Sequence, residues 1–260
     1  MGIPGRFTPN QWGPFLPAHN SISFKGPWYY RNTEMVMLEF ETDPDAILDI
    51  LPSDLELYEP ATGFMVIERN HWTTIGPYSE VYLGLMCLWK GAPHAFVPGV
   101  YVTGENSQLV GREVWGFGKK RPHSIDLVKH DDGSVEALMQ VKAGDRSLRA
   151  SVRPHANAPA DSLGEIPLVV LRIVPDAEGG DVPALAQLVS VTFRANPVMG
   201  SDGKAEIFTG PGVLDLEDPS DVKVPVKKVH RAFYARFDAD LPYGKVLKTF
   251  TKQEILSYSE

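Results

Sequence analysis

The chain is poor in several things, and each shortage excludes something. It holds one cysteine, Cys87, in 260 residues. One cysteine makes no internal disulfide. Its place in the apolar run Leu83-Gly84-Leu85-Met86-Cys87-Leu88-Trp89 reads as that of a small core hydrophobe. A reducing, cytoplasmic setting is expected. There is no apolar stretch of about 18 residues, so no membrane-spanning helix is expected. The first residues lack a basic region followed by an apolar one, so no secretory signal is expected. No long basic run occurs, and the net charge is −8 with a pI near 5.4, so nucleic acid is not an expected partner. The seven histidines form no i,i+4 pair and no metal-ligand spacing. Gly-Lys-Ser/Thr is absent, Gly116-Phe117-Gly118 is too short for a dinucleotide fingerprint, and no elbow pattern frames a serine. No metal and no cofactor are expected.

What is present is a chain that is 43% hydrophobic, enough for one substantial core. Residues 1–34 are rich in Pro, Gly and aromatics and read as an extended arm across the domain or a neighbouring subunit. Met35 to Glu41 reads as a strand. Asp43-Pro44 then starts a helix running through Leu51, with Asp43 as N-cap and Pro44 at its first position. Further strands are expected at Phe64–Ile67, Glu80–Trp89 and Val97–Thr103, and a short helix at Glu105–Trp115. Ser124–Lys129 and Val135–Lys142 flank Asp131-Asp132-Gly133-Ser134, a hairpin signal, and Ser147–Val152 adds a third strand to the meander. Ile166–Val174, Leu185–Phe193, Ala205–Thr209 and Ala232–Phe237 read as strands. Asp215 to Asp221 reads as an acidic, solvated loop. Lys245–Tyr258 fits a C-terminal amphipathic helix. The expectation is one mainly-β domain with a few helices (α+β) over residues 1–260, with barrel and sandwich both open.

The chemistry concentrates in Gly111-Arg112-Glu113-Val114-Trp115-Gly116-Phe117-Gly118-Lys119-Lys120. A second ammonium and apolar walls both penalise a charged lysine. A neutral lysine amine attacks carbonyls and forms an imine that acts as an electron sink. Most lysines are simply solvated, and Lys227-Lys228 reads that way. The first pair differs by its glycine-flanked aromatic setting. Tyr78 and Glu80, two apart, share a face if they lie on a strand. Trp115, Phe117 and Val100 are either walls of a site or ordinary core. Arg112 either braces the turn with Glu113 or binds a carboxylate in two-pronged geometry.

Gly-Arg-Glu, five residues and then Lys-Lys resembles the signature of the acetoacetate decarboxylase family. Lys25-Gly26-Pro27, Asp54-Leu55-Glu56-Leu57-Tyr58-Glu59-Pro60, Tyr78-Ser79-Glu80, Leu171-Arg172-Ile173-Val174-Pro175, Thr209-Gly210-Pro211 and Val224-Pro225-Val226-Lys227 follow in the family's order, so the resemblance covers about Lys25 to Phe250. It implies a closed antiparallel β-barrel with an interior lysine, homo-oligomers, and Lys119 as the imine-forming nucleophile. Lys120 would be its electrostatic neighbour, and Glu80 with Tyr78 would move protons. The chain departs from the pattern at two places. Thr33 stands where the family has an arginine, with Arg31 two residues earlier as a possible substitute. Met65 stands where it has a second glutamate, and Glu68, three residues on, would turn away from it. These departures weigh against decarboxylation and toward condensation of pyruvate with an aldehyde followed by dehydration. The alternatives are a decarboxylase of β-keto acids and a non-catalytic barrel that binds a small carbonyl compound. The expected partners are thus a small keto acid and an aldehyde.

Overall fold

A computed structural model describes residues 2–216 and 223–257. A fourteen-stranded sheet and a four-stranded sheet carry most of the chain. The long strand Trp28–Glu41 lies between Thr62–Thr73 and Lys228–Leu241, antiparallel to both. Thr62–Thr73 pairs with Tyr78–Trp89, which turns into Ala92–Phe96. Leu168–Val174 joins in parallel, followed by Leu185–Val191 and Lys245–Thr249. The sheet path ends at Ala156–Asn157 on one side and Lys245–Thr249 on the other, and these two do not pair. The sheet is therefore open, not the closed barrel that the resemblance implied. Its twist is relieved by adding a second layer rather than by closure.

That second layer is the Asp-Gly hairpin and its neighbours. Ser124–Lys129, Val135–Gln140, Leu148–Val152 and Gly212–Asp215 form the small sheet. Gly133 takes the positive φ (81°) that the turn needs. Val36, Leu38 and Phe40 point toward this sheet and pack with Ile125, Ala137 and Leu148. Met35 and Met37 point the other way, into a second cluster with Tyr78, Val100, Trp115 and Phe117. Both faces of the central strand are thus covered, which is why it reads as a nearly continuous apolar run. Glu34 ties the layers together. Lys129 from the small sheet and Tyr234 (2.8 Å) donate to its carboxylate, and His71 lies 3.2 Å away. Burial alone would raise this carboxyl; the hydrogen bonds from Lys129, Tyr234 and His71 outweigh it and hold the pKa at about 2.

Several elements differ from the sequence expectation. The helix after Asp43 stops at Leu48. The strand expected at Val97–Thr103 is shortened to Val100–Val102, and a separate strand, Ala92–Phe96, precedes it. The strand expected to end at Ile67 continues to Thr73, with Glu68 and Asn70 buried rather than facing solvent. Within the described part of the segment expected as a helix, residues 245–257, the chain is not one helix: Lys245–Thr249 pairs with Leu185–Val191, and Lys252–Ser257 is helical; Tyr258 lies outside the described residues. An open sheet edge offers that segment a ladder of hydrogen bonds, which outweighs a weak helical period. The acidic stretch to Asp221 falls largely outside the described residues. Among the described residues, no helix is long and apolar enough to cross a membrane.

Candidate functional site

Lys119 sits on the two-residue strand Lys119–Lys120, which pairs in parallel with Val100–Val102. Neighbours on a strand point to opposite faces. Lys119 is accordingly buried and Lys120 exposed. Lys120 lines a different cavity of about 100 Å³, together with Met65, Leu83 and Met139 between the sheets. Its side chain lines that cavity and not the one that Lys119 lines.

The group that does face Lys119 is Glu80. Lys119 Nζ donates to Glu80 Oε2 at 2.7 Å and to Ser107 Oγ at 3.2 Å. The rings of Tyr78 and Phe117 lie 5.6 and 5.7 Å from Nζ. These groups line a cavity of about 40 Å³ with Tyr30, Glu68, Tyr82 and Val100. Tyr78 Oη donates to Tyr30 Oη at 3.1 Å. Burial first, then the charge of Glu80 among other neighbours, pushes both phenols above their ordinary range, so they are hydrogen-bond donors at neutral pH.

Glu68 corrects the sequence reading. Thr62–Thr73 and Tyr78–Trp89 pair with Glu68 directly opposite Glu80. Directly opposed side chains lie on the same face, about 5 Å apart at Cβ. Glu68 does turn away from Met65, but the cavity is on the Glu68 side, and Met65 packs between the sheets. Burial and the Glu80 charge raise the Glu68 carboxyl well above the usual carboxylate range. Asn70 Nδ2 reaches Glu68 Oε2 at 3.5 Å, and Thr33 Oγ1 donates to Asn70 Oδ1 at 2.8 Å. Thr33, at the position of the family's arginine, thus belongs to the site's outer shell of hydrogen bonds.

Arg31 does not replace that arginine. Tyr30 pairs with Ala239 and Thr33 with Phe237, so one extra residue is inserted between them. Asn32 absorbs it at φ 55°. Tyr30 and Thr33 therefore both point inward. Arg31 is left outside, over the Tyr29 ring and 3.6 Å from Asp238. Arg112 is exposed and donates to the Lys119 carbonyl at 3.3 Å, as does Gln108 at 3.2 Å. It braces the strand rather than facing the cavity. Trp115 stands behind the wall, 4.8 Å from Trp28 between ring centres, with its indole N–H on the Pro242 carbonyl. Phe117 and Val100 are true walls.

The helix Glu105–Val114 explains the glycines of the signature. Ser107 and Gly111 are one turn apart on the face that Lys119 runs along. A Cβ on Gly111 would sit 2.6 Å from Lys119 Cε. Gly116 has φ 87°, and a Cβ there would meet the Arg172 backbone at 2.4 Å. Gly111→Ala should push the amine off Glu80. A displacement near 1 Å costs about 100-fold in rate. Steady-state turnover should fall by that order while far-UV circular dichroism is retained; wild-type kinetics in this variant would show that the contact yields harmlessly. Tyr30, Tyr82 and Ser107 escaped the sequence reading, which turned Glu68 away from the site. The signals were the i,i+4 relation of Ser107 to Gly111 and the count outward from the turn at 74–77, which sets Glu68 against Glu80.

Comparison with known proteins bears on the family and the fold. The description acetoacetate decarboxylase (ADC) matches residues 6–250. The acetoacetate decarboxylase of Paraburkholderia phytofirmans is 26% identical over 243 residues, covering 92% of this chain and 93% of its own. The crystal structure of acetoacetate decarboxylase from Legionella pneumophila is similar with a TM-score of 0.80 at 24% identity, over 96% of this chain and 98% of that one. The enduracididine biosynthesis enzyme MppR, complexed with pyruvate, has a TM-score of 0.71 at 20% identity, over 91% and 97%. MppR is also known complexed with the condensation product of pyruvate and imidazole 4-carboxaldehyde. The two structural likenesses concern the fold. The family match spans nearly the whole chain: this protein belongs to the acetoacetate decarboxylase family.

Proposed function

We propose that the protein is a lyase that forms an imine between Lys119 and the keto group of a small keto acid, and that it decarboxylates β-keto acids. The observation that carries this reading is the Lys119 amine, buried in a cavity of about 40 Å³ with its Nζ 2.7 Å from Glu80. Glu80 is placed to take the ammonium proton. The free amine attacks the keto carbon; Tyr78 relays one proton from the attacking nitrogen to the carbonyl oxygen and Glu80 returns the one it took, so that the oxygen leaves as water. The resulting iminium draws electrons from the bond between the carboxylate carbon and its neighbour. That bond breaks, carbon dioxide leaves, and the electron pair becomes the enamine double bond. A proton returns to the enamine carbon, and Glu68, held neutral, is the acid facing that position. Water then adds to the iminium, the ketone departs, and Lys119 is restored.

Two features support decarboxylation over condensation. The described residues that line the cavity include no cation besides Lys119, while two carboxyls face it. A condensation of pyruvate keeps its carboxylate throughout and gains from a fixed counter-charge. A decarboxylation loses that charge, so a carboxylate set among carboxyls and apolar walls is relieved by reaction. Glu68 also supplies an acid that the sequence reading had assigned elsewhere. Condensation–dehydration is the second reading. The Tyr78–Tyr30 pair favours it, since a phenol donor can assist loss of a hydroxyl, and the fold likeness to MppR is consistent with it.

Borohydride trapping separates the two. Acetoacetate should give carbon dioxide and, after reduction, an isopropyl adduct on Lys119, located by peptide mass mapping. Pyruvate with an aldehyde should give no condensation product. A condensation product without release of carbon dioxide from any β-keto acid would reverse the order of the two readings. No adduct with either acid would sink both.

A further inference from the structure

Beyond the Lys119 cavity lies a second chamber of about 90 Å³. The two share Glu68, Tyr82, Leu168 and Phe193, so one begins where the other ends. The chamber is walled by Met35, Met37, Phe64, Val66 and Phe237, all on the side of the large sheet that the small sheet does not cover. Phe64 packs edge-on to Tyr82, and Phe193 edge-on to Phe237. Its charged lining residues are Glu68 at the inner end and Glu39 toward the outer, and Glu39 is held in two hydrogen bonds by Arg231. Between these ends the described lining side chains are apolar apart from Tyr82. Methionine walls yield to shapes that branched side chains would reject.

We propose that this chamber receives the apolar substituent of the substrate, so that the preferred β-keto acids carry an unbranched hydrocarbon chain beyond the keto carbon. The proposal rests on the imine chemistry at Lys119. With the keto carbon at Nζ and the carboxylate-bearing carbon between Glu80 and Glu68, the remaining substituent points past Tyr82 and Phe193. The volume has room for about six water-sized groups, and a methylene is of similar size. A chain of about four to six carbons fits, ending near Ile166 at the mouth.

The test uses the wild-type protein with a series of methyl ketones, from acetone to 2-heptanone, and with the matching 3-oxo acids from acetoacetate to 3-oxooctanoate. Each methylene that leaves water should raise kcat/KM about threefold to fourfold until the chamber is full. The fraction of Lys119 trapped by borohydride at equal ketone concentration should rise in step. Val66→Phe, which narrows the chamber, should cut the preference for 3-oxohexanoate over acetoacetate at least tenfold. Equal trapping and equal kcat/KM along the series would overturn the chamber's role and leave the imine standing. Trapping of no ketone at all would instead remove the Lys119 reading on which it rests. Should Val66→Phe fail to fold, the wild-type series alone decides.

Discussion

Lys119→Ala abolishes turnover: kcat falls by at least about 10⁴-fold, because a covalent route cannot be replaced by positioning alone. Lys119→Arg falls equally far. A guanidinium keeps the charge beside Glu80 but stays protonated and forms no imine. The pair of variants therefore separates a lysine that reacts from one that only balances charge. The measurement is carbon dioxide release under saturating β-keto acid, with borohydride adducts read by intact mass. Both variants should show no adduct. Activity within tenfold of wild type in either would end the nucleophile assignment. Binding of an unreactive keto acid analogue should survive in Lys119→Ala if the fold is intact, which guards against a trivial loss.

Glu80→Gln comes second, with kcat lowered about 10²- to 10³-fold, the usual worth of a placed general acid–base group. The amide keeps the shape and one hydrogen bond to Nζ but cannot take its proton. Adduct formation should slow without vanishing, so trapping followed over time distinguishes this variant from Lys119→Ala. Glu68→Gln should act differently. Burial and the charge of Glu80 raise the Glu68 carboxyl, so at neutral pH it carries its proton. As the acid that returns a proton to the enamine, it is active below its folded pKa and inactive above it. Wild-type kcat should thus decline as pH rises through the range where Glu68 ionises. Glu68→Gln should start lower and lack that decline. Identical alkaline limbs in the two proteins would assign the limb to another group and return Glu68 to a purely structural role.

The two glutamates illustrate which parts of the site a reader of the sequence can reach. Tyr78 and Glu80 were legible because a strand has a period of two, and the pair is local. The signature from Gly111 to Lys120 was legible through the family resemblance, and its geometry is now plain: Gly111 leaves room for the Lys119 stem, and Arg112 and Gln108 hold its carbonyl. Glu68 was misplaced because its parity was counted from Met65. Its role depends instead on pairing with Glu80 across the turn at 74–77. Arg31 was misplaced because a bulge at Asn32 adds one residue, and a one-residue shift sends every earlier side chain to the other face. Nothing local at Arg31 announces that shift.

The sequence by itself determined the strand-rich architecture, the Asp-Gly hairpin, the helix Glu105–Val114 and the apolar alternation that builds two cores. Through the resemblance to the acetoacetate decarboxylase family, it also singled out Lys119. The tertiary structure alone decided that the large sheet stays open and that Lys245–Thr249 joins its edge instead of lengthening a helix. It decided as well that Glu68 and Tyr30 face Lys119 while Lys120, Arg31 and Arg112 do not. Those outcomes follow from strand register and from which face receives the second layer. Both are settled by the packing of segments far apart in the chain, where a local pattern carries no information about parity.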